Sequence, residues 1–137
     1  MKNLRSILAA LAVLLIATAA HAQQRTLSAT VPFNFIVGDR AYPAGDYLFR
    51  NSDSVLKITN TEQAKTEVTL SNACESVTPS ADTKLVFDRM GGYYFLRQIW
   101  VAGSFTGREL LRSRTEIRLA QTHEKQESVI VAANISR

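Results

Sequence analysis

Apolar and polar residues alternate along several short segments of the chain, a pattern typical of β-strands with one buried face. In segment 31–37 every second residue is apolar, which predicts a strand that buries four side chains on one face. Turn-forming residues at 43–46 and 51–54 separate the next such segments. The strands predicted in this way are 31–37, 47–50, 55–59, 66–73, 84–90, 93–100 and 127–133.

Gly91 and Gly92 separate two of these strands and predict a tight β-hairpin, because glycine readily adopts the positive φ angles that such turns need. A two-residue turn places Phe87 opposite Leu96, and Leu85 opposite Gln98. Both faces of this hairpin carry apolar residues, so each face needs a covering layer.

The residues Ser113 and Glu116 fit a helix capping box, in which each side chain accepts a hydrogen bond from a free N–H group of the first turn. We expect a helix from this point to about Lys125, with a thin apolar stripe that packs on the β domain. Seven strands, with one C-terminal helix before the last strand, predict a mainly β fold. The architecture expected is a small antiparallel β-barrel or sandwich.

The first 22 residues have the three parts of a secretory signal. A short basic start precedes an unbroken apolar run at 7–17, and the small residues Ala20 and Ala22 occupy the positions that a signal peptidase reads. A membrane-spanning anchor is the alternative, but an anchor needs about 20 apolar residues, and this run is shorter. We therefore predict cleavage between Ala22 and Gln23.

Cleavage at this point leaves residues 23–137, a length that suits a single domain without a further transmembrane segment. We expect this β-rich domain to be exported to the periplasm or the extracellular space. The full chain has 16 basic and 12 acidic residues, and the signal removes two basic ones, so the net charge falls from +4 to +2. Such a weak excess, without a basic stripe, predicts no binding of nucleic acid.

Few residues of the mature chain suit catalysis or metal binding. Cys74 is the only cysteine, so it is a free thiol, an intermolecular bridge or a buried small apolar residue, and its place beside an alternating segment favours burial. His123 is the only histidine left after cleavage. No nucleophile elbow, phosphate loop or set of metal ligands accompanies it. The sequence therefore predicts no catalytic, cofactor-binding or metal-binding residues, and gives no reason to propose an enzyme.

Two groups of residues are candidates for contact with a ligand or a partner. Tyr93, Tyr94 and Trp100 lie near Arg97 in one predicted strand, where they either line a ligand pocket or pack in the core. Arg112 belongs to a group of four arginines around the predicted helix, together with Arg108, Arg114 and Arg118. These arginines either contact anionic envelope polymers or lipid head groups, or form a solvated helix face.

Several segments of the mature chain resemble a group of short secreted proteins of uncharacterised function from soil bacteria. Together the segments cover most of the mature chain. The resemblance implies export and a compact β-rich domain, and it implies no catalytic residues. The segments are VPFNFIVG at 31–38, PAGDY at 43–47, KLVFDR at 84–89, YFLRQIW at 94–100, GREL at 107–110 and SRTE at 113–116.

Two functions of different classes remain open from the sequence. The first is an exported, non-enzymatic binding or structural module of the cell envelope or extracellular space, with an envelope polymer or another protein as its partner. The second is a carrier of small apolar ligands, with a pocket inside the β-barrel. A solid domain interior favours the first function, and a hollow interior favours the second.

Overall fold

The computed structural model describes residue 3, residues 25–122 and residues 125–136. The predicted cleavage site between Ala22 and Gln23 lies outside the described residues, as does His123. The rest of the predicted signal also lies outside them, apart from residue 3.

From residue 25 onward, the described part of the chain forms eleven strands and one helix. The fold is therefore mainly β, as the sequence predicts. No helix among the described residues is both long enough and apolar enough to span a bilayer. In chain order the elements are β1 (Thr26–Val31), β2 (Phe35–Val37), β3 (Arg40–Tyr42), β4 (Gly45–Ser52), β5 (Val55–Asn60), β6 (Lys65–Glu75), β7 (Lys84–Met90), β8 (Tyr93–Trp100), β9 (Thr106–Leu110), α1 (Arg114–Gln121), β10 (Glu127–Ala132) and β11 (Asn134–Ser136).

Nine of the strands form one hydrogen-bonded path in the order β10-β7-β8-β9-β6-β5-β4-β1-β11, and neighbours along it are antiparallel. Strands β2 and β3 pair with each other outside this path, and β2 makes one parallel pair with β8. The path is open. Its two ends belong to one chain segment, because only Ala133 separates β10 from β11.

The strand β6 joins the two halves of the path. Its residues 65–70 pair with β5, and its residues 71–75 pair with β9. One buried cluster draws residues from both halves, among them Phe49 and Ile58 from the first and Leu85 and Phe87 from the second. We call the side of the sheet that carries this cluster the inner face, and the opposite side the outer face.

Aromatic rings fill one part of the inner face. The Phe35 ring lies edge-on to Tyr47 and Phe87, with ring centroids 5.0 and 5.5 Å apart, and stacks on Tyr42 at 5.2 Å. Edge-on and offset pairs of this kind stabilise aromatic cores beyond the area that they bury. This part of the interior is therefore solid.

The single strand predicted at 31–37 is wrong. Strand β1 ends at Val31 and β2 begins at Phe35. Pro32 has no N–H group to donate to a neighbouring strand, and the side chain of Asn34 instead accepts a hydrogen bond from the Ala44 N–H group at 3.0 Å. The alternation nevertheless predicts burial correctly at Val31, Phe35 and Val37.

The predicted count of seven strands is also wrong, since the described residues form eleven. Strands β3 and β11 have only three residues each, which is too few to produce a periodic pattern. Strand β9 is short and carries two charged residues, so the sequence does not distinguish it from a loop.

The predicted hairpin of β7 and β8 is confirmed, and Phe87 pairs with Leu96 as expected. A bulge follows, because Val86 pairs with Gln98 and leaves Arg97 without a partner in the ladder. The register therefore shifts, and Leu85 faces Ile99 rather than Gln98. A bulge reverses which residues of a strand face inward, so both Leu96 and Ile99 lie in the core.

The helix begins where the sequence predicts but ends earlier. The Ser113 side chain accepts a hydrogen bond from the Glu116 N–H group at 3.0 Å, which is one half of the predicted capping box. The Glu116 carboxylate, which would form the other half, pairs with Arg97. The helix ends at Gln121 with Thr122 as its C-cap, before the expected Lys125. It packs against β7, on the hairpin's outer face.

Candidate functional site

A cleft of about 500 Å³ opens at one end of the inner face. We call it the end cleft. Its floor is apolar and comes from both halves of the sheet, with Leu27, Phe49 and Leu56 from one half and Ile99 from the other. These side chains alternate inward along their strands, like the rest of the core. The end cleft is therefore an unfilled continuation of the hydrophobic interior.

Small residues on β6 and β9 leave this space open. Ala73 of β6 and Thr106 of β9 line the cleft where larger apolar side chains would fill it. Gly107 also lines it, and has no room for a side chain. A Cβ atom at Gly107 would lie 2.8 Å from the Ile99 carbonyl oxygen and 2.8 Å from the Trp100 ring. The close approach of β8 thus restricts this position to glycine.

Arg108 places a positive charge at the wall of the end cleft. It pairs with Ala73 on one side and with Ile99 on the other, and it alternates with the buried Leu110, so its side chain starts on the inner face. Its Nε donates to the Ser71 hydroxyl at 3.1 Å, and its Nη2 donates to the Ser71 carbonyl at 2.5 Å. Ser71 is buried, so the guanidinium is held by a fixed partner.

The charges around the end cleft are not balanced. Arg25 and Arg108 line it together with a single carboxylate, that of Asp53. Among the residues that the structure describes, none of the six ion pairs involves Arg108. Asn51 also lines the cleft, and its side-chain oxygen accepts a hydrogen bond from the Ser71 hydroxyl at 3.3 Å. An apolar floor beside a guanidinium that has no carboxylate partner suits a small molecule with an apolar body and an anionic group.

The candidate residues predicted on β8 do not meet in one site. Tyr94 stacks on Phe33, with ring centroids 3.9 Å apart, and Tyr93 is half exposed. Trp100 is buried, and its Nε1 donates to the Gln98 side chain at 3.0 Å. From this strand, the residue that lines the end cleft is Ile99.

Arg97 lies under the helix rather than in a pocket. Its Nε donates to the Asp88 carboxylate at 2.8 Å, its Nη1 donates to the Leu110 carbonyl at 3.1 Å, and its Nη2 forms an ion pair with Glu116. All three charged side chains are at most 10% exposed. We call these three residues the Arg97 cluster; the cluster joins the hairpin to the helix.

The arginines around the helix divide between different environments. Arg112 is exposed just before α1, whereas Arg108 lines the end cleft on β9. The grouping of Arg108 with the helix arginines misses its place at the wall of the cleft. The alternation of Thr106, Arg108 and Leu110 is the signal that could have placed it on an inner face.

Cys74 is half-buried on β6, opposite Gly107. Burial raises the pKa of its thiol above the usual value, and the negative charge of Glu109 adds to this. The expectation of a mostly buried thiol is met only in part. Among the described residues, no group of three or more histidine, cysteine, aspartate or glutamate side chains could hold a metal ion.

Compared with known protein families, with curated protein sequences and with solved structures, the chain matches none.

Proposed function

We propose that the protein is an exported binding module that holds a small amphipathic anion in the end cleft. It develops the second of the two functions that the sequence leaves open, the carrier of small apolar ligands. The difference is that the proposed ligand also carries an anionic group. The feature that supports it is the apolar floor of Leu27, Phe49 and Leu56 beside the Arg108 guanidinium, which forms none of the ion pairs among the described residues. The proposal assigns no catalysis to the site.

Export is part of the proposal. It is supported by the tripartite pattern of residues 1–22 and by the resemblance to short secreted bacterial proteins. An exported protein that binds apolar molecules must shield them from water. A cleft that continues the hydrophobic core can provide this shielding.

We also propose that the sheet wraps around the cleft like a small β-barrel, with β10 and β11 acting as one bent strand. The near-continuity of these two strands supports this arrangement, because they sit at opposite ends of the hydrogen-bonded path. Barrels of this size hold one small ligand when large side chains do not fill the interior. In this protein the aromatic cluster fills one part, and the end cleft stays open.

The volume and the lining fit this class of ligand. Pockets for small molecules have volumes of about 300–1,000 Å³ and place a few polar groups among apolar ones, and the end cleft has about 500 Å³. The Arg108 guanidinium can donate to a carboxylate or phosphate through hydrogen bonds of the stronger, charge-assisted kind. The apolar chain of such a ligand would then lie on Leu56 and Ile99.

The proposal is tested by titrating the mature protein with decanoate and, separately, with decanol, which has the same apolar chain without the charge. We expect decanoate to bind about tenfold more tightly than decanol. A hydrogen bond to a charged group contributes about 1.5 kcal/mol at the lower end of its range, and we use this lower value because the cleft is open to solvent. Arg108→Gln should remove this preference while leaving decanol binding unchanged.

Two further variants locate the site. Ala73→Leu should weaken the binding of both ligands, because it places a larger side chain in the cleft. Arg112→Gln is the matched control; it removes the same charge from an exposed position outside the cleft, and it should change neither affinity. The absence of binding for both ligands, or an equal loss of decanoate binding with Arg112→Gln and Arg108→Gln, would refute the proposal.

A further inference from the structure

Cationic and aliphatic side chains form rows across the outer face of strands β4, β5 and β6. Cross-strand partners share a face, so Arg50 of β4, Lys57 of β5 and Val68 of β6 lie in one row across the sheet. In the next row, Val55 of β5 faces Leu70 of β6. We call these five residues the cationic sheet face.

The two cations of this face are direct cross-strand partners. Like charges in that position destabilise a sheet, and none of the ion pairs among the described residues gives Arg50 or Lys57 a carboxylate. Neither of the two rows contains an acidic residue. A partner with negative charges would relieve the repulsion, so the face is complementary to an anionic surface.

Aliphatic side chains accompany the two cations. Val68 and Leu70 are 52% and 58% exposed, and Val55 beside them is half-buried. Exposed aliphatic groups gain nothing from a fully hydrated polyanion, but they gain from contact with the acyl region of a bilayer. The combination of cations with exposed aliphatic groups therefore favours a lipid surface over an acidic polymer.

From this arrangement we propose that the cationic sheet face docks the protein on the surface of a membrane that contains anionic phospholipids. Arg50 and Lys57 lie against the phosphate groups, and Val68 and Leu70 reach the boundary between head groups and acyl chains. The contact is peripheral, reversible and sensitive to salt, because exposed charges are screened over about 10 Å at 0.1 M ionic strength. The proposal does not depend on a ligand in the end cleft.

The test measures co-sedimentation of the mature protein with vesicles of phosphatidylcholine, with and without phosphatidylglycerol. We expect binding only to the vesicles with phosphatidylglycerol, and weaker binding as salt is raised. Lys57→Gln should weaken the partition coefficient about fivefold, since one basic residue near an anionic surface contributes about 1 kcal/mol.

The decisive variant is Lys57→Glu, because a structural role and a docking role predict opposite results for it. It replaces the repulsion with an attraction to Arg50, so the melting temperature should stay the same or rise. Vesicle binding should nevertheless be lost. Lys125→Glu is the control for net charge; this lysine precedes β10, in the other half of the path, and its substitution should leave vesicle binding largely intact.

The aliphatic contribution has its own variants. Val68→Thr and Leu70→Thr remove the aliphatic side chains but introduce threonine, a residue that favours strands. They should weaken vesicle binding at high salt, where the charges are screened. Equal binding to a soluble acidic polysaccharide, with no effect of these two variants, would overturn the lipid assignment. Self-association of the protein that depends on the same residues, without vesicle binding, would overturn the proposal in favour of a second copy of the chain.

Discussion

The Arg97 cluster gives the sharpest test of how this fold is held together. Arg97 is the extra residue of the bulge in β8, and its guanidinium contacts Asp88 on β7 and Glu116 on α1. Substitution by methionine keeps most of the apolar stem but removes the positive charge. The Asp88 and Glu116 side chains, only 7% and 3% exposed, would then be buried carboxylates without a cation.

The expected cost follows from this burial. Removing one partner of a buried ion pair destabilises a protein by about 3–5 kcal/mol, because an uncompensated charge remains in a low-dielectric site. Domains of this kind have a total stability of about 5–15 kcal/mol. Arg97→Met should thus remove about a fifth or more of the free energy of unfolding. We expect the melting temperature to fall by about 10–20 °C.

Urea unfolding measures this loss, and the fluorescence of Trp100 can report it, since Trp100 is the only tryptophan and is buried. Arg112→Met makes the same chemical change at an exposed position and should alter stability by less than about 0.5 kcal/mol. Adding Asp88→Asn and Glu116→Gln to Arg97→Met should recover part of the loss, because no buried charge remains. A loss below about 1 kcal/mol for Arg97→Met would refute this account of the cluster.

Two further predictions concern other parts of the fold. Gly107→Ala should destabilise the protein by about 1–3 kcal/mol in urea unfolding, because its Cβ would lie 2.8 Å from the Ile99 carbonyl oxygen; unchanged stability would contradict the close approach of β8. Hydrogen bonds from Tyr42 and Lys65 lower the pKa of Glu67 below its ordinary value of 4.5. This group therefore stabilises the fold above pH 4.5 and loses the contribution as the pH falls through the lowered value, so Glu67→Gln should flatten the pH dependence of the melting temperature in that range.

Where local chemistry decides the structure, the sequence predicts it. The positive φ angles of Gly91 and Gly92 fix the turn of the hairpin, and the Ser113 hydroxyl caps the helix. Both signals involve residues that are neighbours in the chain. The alternation at 31–37 also predicts the burial of Val31, Phe35 and Val37, although Phe33 is only half-buried and the strand itself is interrupted.

Where distant residues decide the structure, the sequence does not predict it. The side chain of Arg97, at the bulge, pairs with carboxylates on β7 and α1, and no local pattern in the sequence indicates these contacts. Glu116 fits a capping box by its spacing, but the buried guanidinium competes for its carboxylate. The end cleft likewise depends on residues from separate strands, such as Ala73 of β6 and Arg108 of β9, which become neighbours only in the folded sheet.

The central claim is that the end cleft binds a small amphipathic anion. The most direct measurement is a titration of the mature, isotope-labelled protein with decanoate, followed by the chemical shifts of its backbone amides. We expect saturable shifts at residues that line the cleft, such as Leu56, Ile99 and Arg108, with none at Phe35 in the aromatic part of the core. Shifts confined to the outer face, or no saturable shifts at all, would contradict the claim.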